Sequence, residues 1–368
     1  DLAGISDLEN TVRALSDLAD ACIETGIGIA IERLQPRLGV AAPLAAAEQR
    51  PGLPAPPPFV VLAMGKLGGR EVNYSSDIDL IFAYSGEGPT RGGSRAAPYD
   101  EYFEQLGKEL LAVLDQLTED GRCYRIDMRL RPFGAAGPLV MSLQHTLGYL
   151  QAEGRTWERQ AWLKARPCAG DRALGEALLL ETATFVYRRY LSLDAIGDIQ
   201  ALKRQIELGV ALRGETEDEV KLGRGGIRDI EFTVQFLQLL HGGQHPSVRG
   251  GHTLRALHSL RKEGLLTAEE AERLEQAYVF MRHVEHRLQL HGDRQPHKLP
   301  ADPAVRRRVA RSMGFKYHVA QPPSAVGSKI LTEEMTAQPG AAAPQTAEAQ
   351  FETERQRHVA TRLAHFLR

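Results

Sequence analysis

The chain has 368 residues, of which 43% are hydrophobic and 25% charged, and its 45 Lys and Arg against 47 Asp and Glu leave a formal net charge of −2. Such a length accommodates more than one domain with a substantial core, and the near-balance of charge argues against generic binding to a nucleic-acid backbone or a membrane surface. There is no apolar run of about 18 residues and no charged-then-apolar leader, so the chain reads as soluble and unexported. Its three cysteines, Cys22, Cys123 and Cys168, are widely separated and lack zinc-like spacing, which points to a reducing, cytoplasmic compartment. Opening on Asp1 without a methionine, the sequence reads as a fragment.

In chain order, Leu8, Val12, Leu15, Leu18, Ala21 and Cys22 recur at helical spacing and predict a helix over about 6–34. Residues 41–58 are rich in alanine and proline, with Pro54, Pro56, Pro57 and Pro58, and read as a linker. The run Phe59 to Met64 is short, apolar and bounded by proline and glycine, as a buried strand would be. A glycine-rich turn, Gly65-Lys66-Leu67-Gly68-Gly69, leaves its end, and a second strand is expected over 77–84. After a loop at 86–98, Phe103, Leu106, Leu110, Leu114 and Leu117 mark an amphipathic helix. A third strand is expected over 124–131, then a turn through Arg131-Pro132-Phe133-Gly134 before Leu139-Val140-Met141.

From Leu143 the helical period dominates. Helices are expected near 155–166, 171–188, 194–213, 227–241, 252–262, 267–293 and 303–313, as in a bundle. Residues 317–349 break the pattern with Pro322, Pro323, Pro339 and Pro344 and read as a flexible insertion; helical spacing resumes over 351–368. The expected organisation is a helical segment at 1–40, a sheet domain at 41–154 and a helical domain at 155–368.

Chemistry concentrates on the first two of these strands and the third. Strand alternation puts Asp77, Asp79, Ile81 and Ala83 on one face and Ile78, Leu80, Phe82 and Tyr84 on the other, so both acids project from a strand whose back is core. The same alternation puts Arg125, Asp127, Arg129 and Arg131 on one face. If the two polar faces adjoin, three carboxylates converge among arginines, a donor set for Mg2+ or Mn2+ in phosphoryl or nucleotidyl transfer. Glycines at 65, 68 and 69 let backbone amides approach a phosphate, with Lys66, Arg129 and Arg131 adding positive charge.

Several other candidates carry weaker signals. Asp229 and Glu231, in the first turn of a helix after Gly225-Gly226, read as capping and interdomain pairing rather than metal ligation. His283 and His286 share a helix face but have no third ligand nearby, so solvated histidines are expected.

Met64 through Phe82, Asp127-Met128-Arg129-Leu130-Arg131-Pro132-Phe133-Gly134, Trp157-Glu158-Arg159, Lys164-Ala165-Arg166 and Gly225 through Phe232 closely resemble the bifunctional glutamine synthetase adenylyltransferase and adenylyl-removing enzyme family. The resemblance runs over about 6–316 and resumes near 351. It implies an α+β fold: a DNA polymerase β-like nucleotidyltransferase domain with a mixed sheet, followed by an α-helical bundle.

The flanks Asn73-Tyr74-Ser75-Ser76 and Pro132-Phe133-Gly134 look like the N-terminal, deadenylylating half of that family. By resemblance the chain removes AMP from a tyrosine of glutamine synthetase, with inorganic phosphate as nucleophile and ADP as product. Asp77, Asp79 and Asp127 would then be the catalytic, metal-holding acids, and Ser76 joins the phosphate-binding set. Lys164 would either reach phosphate or belong to an ordinary charged surface with Trp157 in the core, and the resemblance over Gly225 to Phe232 implies that this motif could contribute to the active-site wall, beside its capping and interdomain pairing. ATP-dependent adenylylation, and a non-catalytic module sensing a PII signal protein, remain the alternatives.

Overall fold

Strand β1 (Phe59–Ala63) is buried at every position, as its uninterrupted apolar run requires, because helices cover both faces of the sheet it centres. The computed structural model describes residues 2, 4–41, 58–188, 219–223, 225–290 and 298–315. The expected helices at 194–213 and 351–368, the insertion at 317–349 and nearly all of the linker at 41–58 lie outside the described residues.

β1 pairs antiparallel with β2 (Ile78–Tyr84) on one edge and with β5 (Arg166–Gly170) on the other. The far edge of β2 is shared by two short parallel strands. β3 (Ile126–Asp127) pairs with its start and β4 (Val140–Ser142) with its end. The sheet is therefore mixed, with β3, β2, β1 and β5 in spatial order.

Alternation along β1 and β2 sends side chains to two cores. Phe59, Val61, Leu80 and Phe82 pack under α1 (Leu8–Leu38) and α3 (Tyr99–Asp115). Val60, Leu62, Ile81 and Ala83 face α4 (Leu143–Ala152), α5 (Thr156–Trp162) and α6 (Arg172–Val186). Burial of a large apolar side chain contributes about 1.5–3 kcal/mol, so this double coverage fixes the register of β2 and, with it, the direction in which Asp79 points. The acid-bearing face of β2 is polar only at its start; from Ile81 onward it is core.

Local signals set the helix ends. Asp7 accepts from the Asn10 amide at 2.7 Å and Asp171 from the Leu174 amide at 3.0 Å, each capping its helix as a short acidic side chain does. A second helical body, α7 (Ile227–His241), α8 (Thr253–Lys262), α9 (Ala268–Gln289) and α10 (Pro303–Ser312), has its own core around Leu257, Leu260, Tyr278 and Met281. It meets the sheet body through Gln160 of α5, which donates to Gln235 of α7 at 2.8 Å.

Four expectations are corrected. The helix expected over 155–166 stops at Trp162, and Arg166–Gly170 is the strand β5, so the sheet extends past residue 154. The third strand covers only Ile126–Asp127; the chain then turns, with Phe133 and Gly134 both at positive φ. Trp157 is 38% exposed and not a core residue, whereas its neighbours Glu158 and Arg159 are buried. His286 is fully buried rather than solvated: its imidazole lies 3.1 Å from Asn73 Oδ1, and desolvation followed by Arg282 pushes its pKa down to about 3, so it is neutral.

Candidate active site

Asp79 and Asp127 are register partners across the parallel β2–β3 pair, which puts the two carboxylates on one face of adjacent strands. Asp77 precedes β2 by one residue and is exposed. The turn after β1 approaches this face so closely that a Cβ on Gly65, at φ 52°, would stand 2.4 Å from Asp79 Oδ2. Only glycine permits that approach.

The turn itself winds into a four-residue helix, α2 (Gly65–Gly68), rather than an open phosphate loop. The amides of Gly68 and Gly69 donate to Met64 O at 2.9 Å and Gly65 O at 3.1 Å. A Cβ on Gly68 would fall 1.9 Å from Lys164 O, and Gly69 packs on the Gly251 carbonyl. These two glycines serve close packing and do not line the cleft.

A cleft of about 320 Å³ opens over the acids. Its near wall is Gly65, Ser76, Asp77, Asp79 and Asp127, with Arg129 at the rim and Lys66 and Lys164 on the floor. Its far wall comes from the helical body: Lys221, Arg228, Glu231, Phe232 and Gln235. Arg131 is elsewhere. Its guanidinium donates to Met128 O at 2.8 Å and Pro138 O at 3.1 Å and so holds the turn after β3 closed. The alternation that put it beside Asp127 ended with the strand.

The charges fall into two sets. At the rim, Arg125 Nε donates to Asp77 Oδ1 at 2.5 Å and Arg129 Nε to Asp127 Oδ2 at 2.8 Å. The Arg129 hydrogen bonds hold the Asp127 carboxyl below the usual range. Asp79 behaves oppositely: burial, then the charges of Asp127 and Asp77, push its pKa up to about 6.

Beneath the rim, Lys66 Nζ donates to Glu285 Oε1 at 2.9 Å and Lys164 Nζ to Glu71 Oε2 at 2.7 Å. Burial pulls the Lys66 pKa down to about 8, with Glu285 opposing. For Lys164 burial acts in the same direction, but Glu71 and Glu231 outweigh it and the pKa is raised. Lys164 is thus a buried ion-pair partner at the cleft and not part of an ordinary charged surface.

The donor set suits a hard divalent cation. Three carboxylates supply only oxygen, and Asp79 resists ionisation beside its neighbours unless a cation offsets their charge. As the side chains stand, two carboxylates are turned to arginines, and among the described residues no trio of acidic, His or Cys side chains forms a ready chelate. Asp77 and Asp127 would exchange Arg125 and Arg129 for the ion.

The far wall is what sequence reasoning placed least well. Asp229 does cap its helix, accepting from the Gly225 amide at 2.7 Å, and Glu231 does pair across domains, 3.6 Å from Lys164. The family motif over 225–232 contributes Arg228, Glu231 and Phe232 to the cleft wall, whereas Lys221 and Gln235 carry no spacing signal that assigns them to a site built mainly from residues 65–129.

Comparison with known proteins agrees with this architecture. Residues 1–180 match the family model for glutamate-ammonia ligase adenylyltransferase, and residues 200–328 match that for GlnD PII-uridylyltransferase. A bifunctional glutamine synthetase adenylyltransferase/adenylyl-removing enzyme of Stenotrophomonas maltophilia is 44% identical over 315 residues, which is 86% of this chain and 33% of the relative. A protein of the same description from Burkholderia mallei is 43% identical over 330 residues, 87% of this chain and 35% of its own length. The chain spans about a third of the length of these relatives. With identity sustained across both the sheet body and the helical body, the chain is similar over most of its length to glutamine synthetase adenylyltransferase/adenylyl-removing enzymes, and the glutamate-ammonia ligase adenylyltransferase family model matches its first 180 residues.

Proposed function

We propose that the cleft catalyses nucleotidyl transfer on a protein tyrosine, in the direction that removes AMP from adenylylated glutamine synthetase. The observation that carries this reading is that Asp79 and Asp127 are register partners facing a cleft floored by two lysines, each held by a buried glutamate. Asp77, Asp79 and Asp127 would hold Mg2+ or Mn2+, which when bound neutralises charge on phosphate oxygens and orients them for in-line displacement.

The chain's own residues do the rest. Lys66 and Lys164 sit where they can bind the oxygens of inorganic phosphate and of the adenylyl phosphate, both of which carry negative charge. Ser76 offers a hydroxyl on the same wall, and Arg228 a further cation from the helical body. A phosphate oxygen attacks the AMP phosphorus, the P–O bond to tyrosine breaks, and the phenolate leaves and takes a proton. The products are ADP and unmodified tyrosine. Because phosphate is already anionic, no general base is needed at the attacking oxygen.

The flanking segments Ser75-Ser76-Asp77 and Pro132-Phe133-Gly134 support removal over addition, through their resemblance to the deadenylylating half of the family. A PII signal protein is the proposed regulatory partner; the match of residues 200–328 to the PII-uridylyltransferase model supports it. The test is to incubate the chain and Mg2+ with adenylylated glutamine synthetase. ADP should form only when inorganic phosphate is supplied. Transfer of label from ATP to unmodified glutamine synthetase, with the adenylylated form ignored, would assign the reverse reaction instead.

A further inference from the structure

The two lysines on the cleft floor are each backed by a glutamate that does not line the cleft. Glu285, on α9 of the helical body, has no exposed surface and lies 2.9 Å from Lys66. Glu71, at 1% exposure, lies 2.7 Å from Lys164. A single buried guanidinium joins the two glutamates. Arg282 Nε is 3.2 Å from Glu285 Oε2, its Nη2 donates to the Glu71 carbonyl at 2.8 Å and to Asn73 Oδ1, and its Nη1 donates to Tyr278 Oη at 2.8 Å. Glu71 also accepts from the Thr253 amide at 2.7 Å and from Tyr278 Oη at 3.2 Å.

Charges this deeply buried are costly unless met by a partner, and here the pairs are hydrogen-bonded except Arg282 Nε against Glu285 Oε2, which meet as an ion pair, so the cluster favours one arrangement of its members. It also spans the segment between α2 and β2, where Gln289 of α9 binds both the amide and the carbonyl of Ser75, two residues before Asp77.

We infer that Glu285 and Glu71 are positioning residues for phosphate binding: each fixes one lysine of the cleft, and Arg282 ties the two to α9, so the helical body sets the lysine geometry. The inference rests on the cleft binding phosphate groups, and it holds for either direction of transfer. A helical body that merely packed against the sheet would supply no ionic partner to Lys66 or Lys164, yet it supplies Glu285 to the first and Glu231, 3.6 Å away, to the second. Tyr278, Arg282 and Glu285 lie one turn apart along α9: Glu285 meets Lys66 directly, and Tyr278 meets Glu71, the partner of Lys164.

The test is a double-mutant cycle read by calorimetric titration of ADP into the chain in Mg2+ buffer, which requires no turnover. Lys66→Gln should weaken ADP binding about tenfold, the effect of losing one charge-assisted hydrogen bond. Glu285→Gln should weaken it comparably, and the double variant should bind no worse than Lys66→Gln alone, because Glu285 acts only through Lys66.

If Glu285→Gln alone fails to fold, the double variant still decides, since it removes both charges of the pair together and can be compared with Lys66→Gln. Multiplicative losses, or unchanged binding in Glu285→Gln or Lys66→Gln, would overturn the inference. Normal cycle behaviour with no ADP formed from adenylylated glutamine synthetase would leave the positioning role standing and remove the deadenylylation reading.

Discussion

The rim and the floor of the cleft are built from the same chemistry, a carboxylate against a cation, yet they differ in what surrounds them. At the rim, the side chains of Arg125 and Asp77 are 41% and 46% exposed. On the floor, Lys66 and Glu285 are 15% and 0% exposed, Lys164 and Glu71 8% and 2%. Water screens the first kind of pair and leaves it worth about 0–1 kcal/mol, whereas breaking the second strands a buried charge at a cost of about 3–5 kcal/mol. The rim can exchange its arginines for another cation at little expense; the floor cannot exchange anything. A site that must admit and release highly charged groups places its adjustable pairs outside and its fixed ones beneath.

The largest expected effect breaks the rim chemically without touching its stability. Asp127→Asn should lower turnover of adenylylated glutamine synthetase by at least about 10²-fold, because it removes a charge from the proposed metal set, while far-UV circular dichroism and melting temperature stay near those of the parent chain. Near-normal turnover would mean that the acids are structural.

The next effect lies on the floor. Glu71→Gln should lose about 3 kcal/mol in urea unfolding, as the buried Lys164 loses its 2.7 Å carboxylate partner and is left with Glu231 at 3.6 Å. The pH dependence sharpens this. Glu71 is held from its ordinary 4.5 down to about 2: burial opposes the shift, but Lys164, His252 and Arg282 outweigh it. Its stabilisation is therefore present above about pH 4.5 and is lost as pH falls through about 2.

His286 contributes a separate limb. Its pKa is pushed from 6.5 to about 3 by burial and by Arg282, so the unfolded chain takes up the proton first and stability declines as pH drops below about 6.5. Urea midpoints measured from pH 7 to 3 should show both limbs in the parent chain, and Glu71→Gln should lose only the lower one. A curve identical in shape to the parent's would place the lower limb on other carboxylates.

The smallest effect returns to the rim. Arg125→Gln should change stability by no more than about 1 kcal/mol and should tighten Mn2+ binding about two- to threefold, since the ion no longer competes with the guanidinium for Asp77. Weaker Mn2+ binding would show that Arg125 organises the acids rather than occupying them.

Much of the sheet was legible because its signals are local. A continuous apolar run marks β1, and alternation around Asp77 and Asp79 marks β2 to within one residue. Helices α7 to α10 follow from apolar spacing alone, with ends displaced by a few residues at most. What escaped depends on partners distant in sequence. Arg166–Gly170 becomes a strand only because β1 offers it an open edge. Arg131 alternates with Asp127 on paper but is recruited by the carbonyls of its own turn. Lys66 and Lys164 were visible as cations; that each rests on a buried glutamate, one of them from α9, is a property of packing and has no local sequence signature.

The late arrival of β5 bears on how the chain folds. β1 is flanked on one side by β2, which follows closely, but its other edge stays open until the segment that pairs Val60 with Gly170 has been made. Pairing across so long a loop is slow, and an uncovered apolar strand edge is a template for association with other chains. A polypeptide cut before Arg166 would keep all three aspartates and lose the strand that closes the sheet, so it would be expected to aggregate rather than to fold into a smaller enzyme.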